Sequence, residues 1–361
     1  MKLTPDSKLD PQFLDEIESA SPFSSYTPKE SRRSGAVLAG RYQVRGFLER
    51  GAHARIYLAE DLTTGSPVAL KILAPETALS PEFRIRLLRE GQAMKAISHP
   101  NVATVIETGE TEEGVPFLAM EALLGESLGE YVRREPIPVD TALILLRQAA
   151  AGLAAAHRAG IVHRDVKPDN FLLLGPPGEP YGLKVIDFGL AKLWDVDEAA
   201  AGGDHNVMGT AEYMSPEQIL VEQVDARSDI YSLGVVMFRV LSGHLPFESV
   251  GQADLLRHQL FSTVPPPSWL NESLDPRVDR VVKMATQKDR ERRYASMDEL
   301  IADMEVLIGM EGRELKAKSL SSAPDAYIPS TDLGREAATL LAAKFGEHAC
   351  RTGLTKPPES G

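Results

Sequence analysis

A single cysteine, Cys350, stands in a chain of 361 residues. One thiol forms neither an internal disulfide nor a thiolate-rich zinc site, so a reducing compartment is implied and the cytoplasm is the expected location. Basic residues are in deficit, 39 against 52 acidic, and the formal charge of -13 repels nucleic acid and anionic lipid at long range. No nucleic-acid partner is expected. Long apolar runs are missing as well. Residues 1–35 hold no apolar core of signal-peptide length, which argues against export by that route. The stretches Ala142–Ala156 and Ile230–Leu241 are interrupted by Arg147 and Arg239 and are expected to be buried helices that fall short of a membrane span. The 43% of hydrophobic residues is enough for a substantial core.

Serine, proline and charge dominate residues 1–40, which read as a flexible tail. From Arg41 the pattern changes. Alternating segments at Tyr42–Phe47, Arg55–Asp61 and Pro67–Leu73 predict an antiparallel meander. A helix with Phe83, Leu87, Ala93 and Met94 on one side follows, then strands near Val102–Thr108 and Phe117–Ala122. After Gly125 the chain is mainly helical, clearest at Val139–Ala159 and Ser228–Ser242. The expected architecture is α+β in two lobes, a small sheet lobe over 41–122 and a larger helical lobe over 123–308. Residues 309–361 return to serine, proline and charge, with Leu333, Ala337, Leu340, Leu341 and Phe345 at the spacing of a short amphipathic helix.

The densest chemistry lies in His163-Arg164-Asp165-Val166-Lys167-Pro168-Asp169-Asn170 and in Asp187-Phe188-Gly189, whose aspartate falls 22 residues after Asp165. Moving a phosphate to a hydroxyl requires one group to orient that hydroxyl and oxygen donors to hold magnesium. Asp165 suits the first task; the amide of Asn170 and the carboxylate of Asp187 suit the second. Lys71 ends the strand Val68-Ala69-Leu70-Lys71, and Glu90 follows it by 19 positions on the next helix. Downstream stand Gly209-Thr210-Ala211-Glu212-Tyr213-Met214-Ser215-Pro216-Glu217, then Asp225-Ala226-Arg227-Ser228-Asp229, then Arg293.

Together these segments resemble the bacterial eukaryotic-like (Hanks-type) serine/threonine protein kinases over about Tyr42 to Ile308. The resemblance implies a two-lobed protein-kinase-like fold that takes ATP and Mg2+, with Mn2+ as an alternative ion, and acts on protein substrates. It implies that Lys71, held by Glu90, meets the α- and β-phosphates, and that Lys167 neutralises the γ-phosphate, a residue typical of serine/threonine enzymes. Adenine would bond the Glu121 carbonyl and the Leu123 amide beside Met120, with Ile56, Ala69 and Leu172 against the ring and Glu126 or Ser127 near the ribose. An activation segment would run from Asp187 past Thr210 to Glu217, with Thr210 structural, Arg293 the buried partner of Glu217, and Asp229 anchoring the catalytic loop. Many relatives carry a membrane anchor after the kinase domain; none is expected here. Ser21-Pro22 and Thr27-Pro28 would offer autophosphorylation sites, reached by self-association.

Two departures stand out. Where the family has three glycines over the phosphates, this chain has Glu49, Gly51 and Ala54, so weaker ATP binding is expected. The alternative is a pseudokinase that binds nucleotide or a partner without transfer. Between Leu190 and Gly209 there is no serine, threonine or tyrosine, so Arg164 and Lys192 form a basic pocket with no residue there to phosphorylate. Either one of Asp195, Asp197, Glu198 and Asp204 fills that pocket in place of a phosphate, or the four belong to a solvated acidic, alanine- and glycine-rich loop unrelated to activity.

Overall fold

Alternation from Tyr42 onward folds as antiparallel strands because every second side chain enters the core while the backbone bonds its neighbours. The computed structural model describes residues 36–50, 54–111, 114–123, 125–175, 182–188, 211–247 and 251–310. Strands β1 (Val37–Leu38), β2 (Tyr42–Arg50), β3 (Ala54–Asp61) and β4 (Ser66–Leu73) come first. Helices α1 (Pro75–Ala78) and α2 (Pro81–Met94) follow, then β5 (Val105–Glu110) and β6 (Pro116–Glu121). These six strands make one antiparallel sheet in the order β1-β2-β3-β4-β6-β5.

Inside this first unit Tyr42 is fully buried, meets the Phe117 ring edge-on at 5.7 Å and donates its hydroxyl to Glu107 at 2.7 Å. Helix α2 packs on β5 and β6. Gly91 permits that approach, since a Cβ there would stand 2.3 Å from the Thr108 side chain and 2.5 Å from that of Leu118. A larger residue there would force the Thr108 and Leu118 side chains, or α2 itself, to shift.

The described residues divide into two compact units, and the chain leaves the first after Lys95 to rejoin it at Thr104. Residues 96–103 belong to the second unit, although they fall within the lobe expected over 41–122. Asn101 explains the excursion: its carbonyl accepts the Val185 N–H at 2.8 Å, and its side chain donates to the Leu183 carbonyl at 2.8 Å. Val102, expected to open a strand of the large sheet, makes a parallel bridge with Val185 instead.

The second unit contains β7 (Gly125–Ser127), α3 (Leu128–Arg134), α4 (Val139–Arg158), β8 (Phe171–Leu174) and β9 (Gly182–Val185). It continues with α5 (Pro216–Ile219), α6 (Ala226–Ser242), α7 (Gln252–Phe261), α8 (Pro276–Ala285) and α9 (Met297–Met310). Strands β7, β8 and β9 form a small antiparallel sheet. Helix α6 is buried without a break from Ser228 to Phe238, with the polar Ser228, Asp229 and Ser232 taken into the interior. Helix α4, at 20 residues, is long and apolar enough to cross a bilayer, which corrects the expectation that it falls short. It instead packs Ala142, Leu146, Ala149 and Leu153 into the core beside α6, α9 and β9, while Arg147 reaches Glu305 of α9 at 2.9 Å.

Candidate active site

Asp229, in the first turn of α6, is 1% exposed and organises the loop that begins at His163. Its carboxylate accepts the N–H groups of His163 and Arg164, both at 2.8 Å, and meets His157 Nε2 at 2.7 Å. Three partners offset the cost of burying that charge. His163 is itself buried, and burial holds its pKa below the ordinary value. Its Nδ1 faces the Asp165 N–H at 3.2 Å, so Nε2 carries the proton and donates to the Ile186 carbonyl at 3.2 Å. The ring packs on Phe188 with centroids 4.6 Å apart.

Arg164 has φ 64° and Asp187 has φ 49°. Left-handed backbone costs a residue with a Cβ about 1 to 3 kcal/mol and persists only where the surroundings impose it. Here those surroundings are the loop bonds. Asn170 Nδ2 donates to the Asp165 carbonyl at 2.7 Å, Ile186 N–H bonds the Asn170 carbonyl at 3.0 Å, and Lys167 Nζ lies 3.2 Å from Asp165 Oδ2. Asp165, Lys167, Asn170 and Asp187 therefore share one scaffold within the second unit. The donor set fits magnesium: with Nδ2 spent on Asp165, Asn170 keeps Oδ1 for a hard cation, and Asp187 adds a carboxylate. Among the described residues no group of three or more His, Cys, Asp or Glu could hold a metal.

In the first unit, strand register sets Ile56 opposite Lys71 and Ala69 opposite Met120. With a period of two, Ile56, Ala69, Lys71 and Met120 share one face of the sheet. Leu118, paired with Lys71, lies on that face too, against Gly91 of α2, so the lysine and the helix that carries Glu90 occupy the same side. Glu121 ends β6 with its N–H on the Thr104 carbonyl at 3.0 Å, and Leu123 follows in open chain. Leu172 is half-buried in β8 of the second unit, between the buried Phe171 and Leu173. Gly51, Gly189, Lys192, Thr210 and the side chains of Glu49 and Glu90 lie outside the described residues, as do both tails and the acidic stretch from Asp195 to Asp204.

Glu126 and Ser127, expected near a ribose, are already engaged. Glu126 accepts Arg134 at 2.5 and 3.1 Å, and Ser127 caps α3 through a reciprocal pair of 3.0 Å bonds with Glu130. Glu217 is buried against Arg293, with bonds of 2.6 and 2.8 Å. One contact escaped sequence reasoning: Gln218 donates from Nε2 to the Arg164 carbonyl at 2.7 Å. Its only trace in the sequence is the capping-box spacing of Ser215 and Gln218.

Comparison with known proteins agrees with this geometry. The family described as protein kinase domain matches residues 42–304. Serine/threonine-protein kinase pkn3 of Myxococcus xanthus is 33% identical over 308 residues, covering 84% of this chain and 56% of that protein. PknB of Mycobacterium leprae is 35% identical over 271 residues, covering 74% and 43%. The chain thus spans about half the length of these curated relatives. The crystal structure of the Mycobacterium tuberculosis PknI kinase domain is similar with a TM-score of 0.59 and 26% identity, covering 76% of this chain and 98% of that one.

Proposed function

The chain belongs to the protein kinase family, among the bacterial eukaryotic-like serine/threonine kinases, and on that footing we propose that it transfers the γ-phosphate of ATP to serine or threonine hydroxyls of proteins. The observation that carries this reading is the loop held by Asp229, in which Asp165, Lys167 and Asn170 are fixed beside the residue pair Ile186 and Asp187. Asp165 takes the proton of the incoming hydroxyl as that hydroxyl's oxygen bonds the γ-phosphorus and the bond from phosphorus to the departing ADP oxygen breaks, and Lys167 keeps the carboxylate oriented. Asn170 and Asp187 would hold magnesium, which supplies charge neutralisation on the phosphates when bound. The sheet face with Ile56, Ala69, Lys71 and Met120 is the proposed nucleotide surface of the first unit. Protein substrates, a cytoplasmic site of action and phosphorylation of its own tails through self-association belong to the same reading.

Transfer without phosphate on the activation segment is also part of the proposal, since residues 190–209 carry no hydroxyl side chain. One assay addresses these points: labelled ATP with magnesium, the parent beside Asp165→Asn, and mapping of the products. The parent should label protein serine or threonine, and Asp165→Asn should lose on the order of 10² to 10⁴ in rate. No transfer from the parent would favour a nucleotide-binding pseudokinase. Activity that depends on phosphate at Thr210 would overturn independence from activation-segment phosphorylation, and Glu49→Gly should lower the KM for ATP.

A further inference from the structure

Immediately before Asp165 the backbone is strained, and it is held on more than one side. Arg164 adopts φ 64°, its N–H is fixed by Asp229 Oδ1 at 2.8 Å, and the next N–H, that of Asp165, faces His163 Nδ1 at 3.2 Å. The Arg164 carbonyl is the remaining group of this turn, and it accepts Gln218 Nε2 at 2.7 Å. Gln218 is 8% exposed, and its Oε1 accepts the Ser215 N–H at 3.1 Å and the Ser215 hydroxyl at 3.2 Å. Both outer partners are unambiguous, a carbonyl on one side and a backbone N–H on the other. The amide orientation is therefore determined by its neighbours.

We propose that Gln218 is a positioning residue for phosphoryl transfer: its side-chain amide ties the Arg164–Asp165 peptide to the Ser215–Gln218 turn and thereby holds the Asp165 carboxylate in place. The inference rests on the reading of Asp165 as the proton acceptor. The requirement is specific, because the site needs one donor and one acceptor at this reach. Lysine and arginine lack the acceptor, an ionised glutamate lacks the donor, and asparagine is one methylene short. The link also needs no modification. Residues 190–209 offer no hydroxyl to phosphorylate, whereas Gln218 couples the segment that follows them to the catalytic loop through a neutral amide.

The test is Gln218→Glu in the full chain, which keeps the volume and the acceptor and removes the donor while ionised. At about pH 8 its kcat should fall on the order of tenfold, with the KM for MgATP unchanged within about twofold, since one buried carbonyl loses its partner. Burial at this site raises a carboxyl's pKa, so toward about pH 6 the protonated fraction grows and again donates to the Arg164 carbonyl, and the ratio of variant to parent kcat should climb. Gln218→Met, with neither donor nor acceptor, should be slow at both pH values. A role confined to stability would lower the melting midpoint and leave the ratio flat. Parent-like kcat for Gln218→Glu at about pH 8, or a deficit that acid does not relieve, overturns the proposal. If Gln218→Glu does not fold, parent-like kcat in folded Gln218→Met does so. An unimpaired Asp165→Asn would instead sink the catalytic reading itself, whereas an inactive Asp165→Asn beside an unimpaired Gln218→Glu sinks only the positioning role.

Discussion

Glu217 and Arg293 stand 76 positions apart and form a buried ion pair. The guanidinium grips both carboxylate oxygens, Ser228 donates to Glu217 at 2.5 Å, and the remaining Arg293 hydrogens go to the carbonyls of Gln287, Arg227 and Lys288. Burial pushes the Glu217 carboxyl up; the Arg293 bonds and charge outweigh it and leave the pKa below the ordinary 4.5. A depressed carboxylate contributes stability that is present above about pH 4.5 and is lost as pH falls through the folded value. Glu217→Gln leaves Arg293 buried without a counter-charge, so unfolding free energy at neutral pH should drop by about 3 to 5 kcal/mol, read by urea titration. The gap to the parent should narrow in acid. This partnership was legible only through family resemblance, because nothing local to either residue signals the other.

At the scale of elements, α6, α7 and the chain after α8 are joined by a polar relay. Lys288 donates to the Tyr231 hydroxyl at 2.7 Å, Tyr231 donates to Gln259 Oε1 at 2.5 Å, and Gln259 Nε2 donates to the Glu212 carbonyl. The Lys288 ammonium also lies 5.0 Å from the ring centres of Tyr231 and Phe247. Burial, with the Arg293 charge, pushes Lys288 down from 10.5 to about 7. His258, stacked on Phe247 and 3.7 Å from Asp254, is the nearby titratable group of α7. Below about pH 7 the lysine is charged in both states and its full desolvation cost is present. Between about pH 7 and 10.5 the unfolded chain binds more protons, so this residue makes stability rise with pH. Lys288→Met should flatten that rise in denaturant titrations; an unchanged slope would mean that the ring faces hold the proton after all.

The longer elements with a clear apolar period were readable to within a few positions, whereas α3, α7, α8 and α9 were anticipated only as part of a mainly helical region. The helix from Val139 and the strand that carries Lys71, Ser66–Leu73, follow their apolar periods closely. The strands β7, β8 and β9, three or four residues each, were not anticipated, since so short a run carries no period and exists only through its pairing.

Across the whole molecule, composition and burial divide the explanation. A formal charge of -13 is a property of the sequence and needs no coordinates. Whether α4 is a core helix is decided by its neighbours, because its length and apolar content fit a membrane as well as a protein interior. Val102 and Ala103 make the same point: they were expected at the start of a strand of the large sheet, and the bonds of Asn101 hold this stretch in the other unit. The sequence by itself determined which residues are proposed as the reactive groups, since spacing of Asp165, Lys167, Asn170 and Asp187 is local and a family keeps it visible. Tertiary structure alone brought Gln218 onto the Arg164 carbonyl, and it supplied the bonds by which Asp229 beneath the loop and Arg293 behind Glu217, both implied by the family resemblance, hold their partners. The reason is physical. A side chain's chemistry belongs to one residue, but its orientation depends on partners that only folding brings within hydrogen-bonding reach.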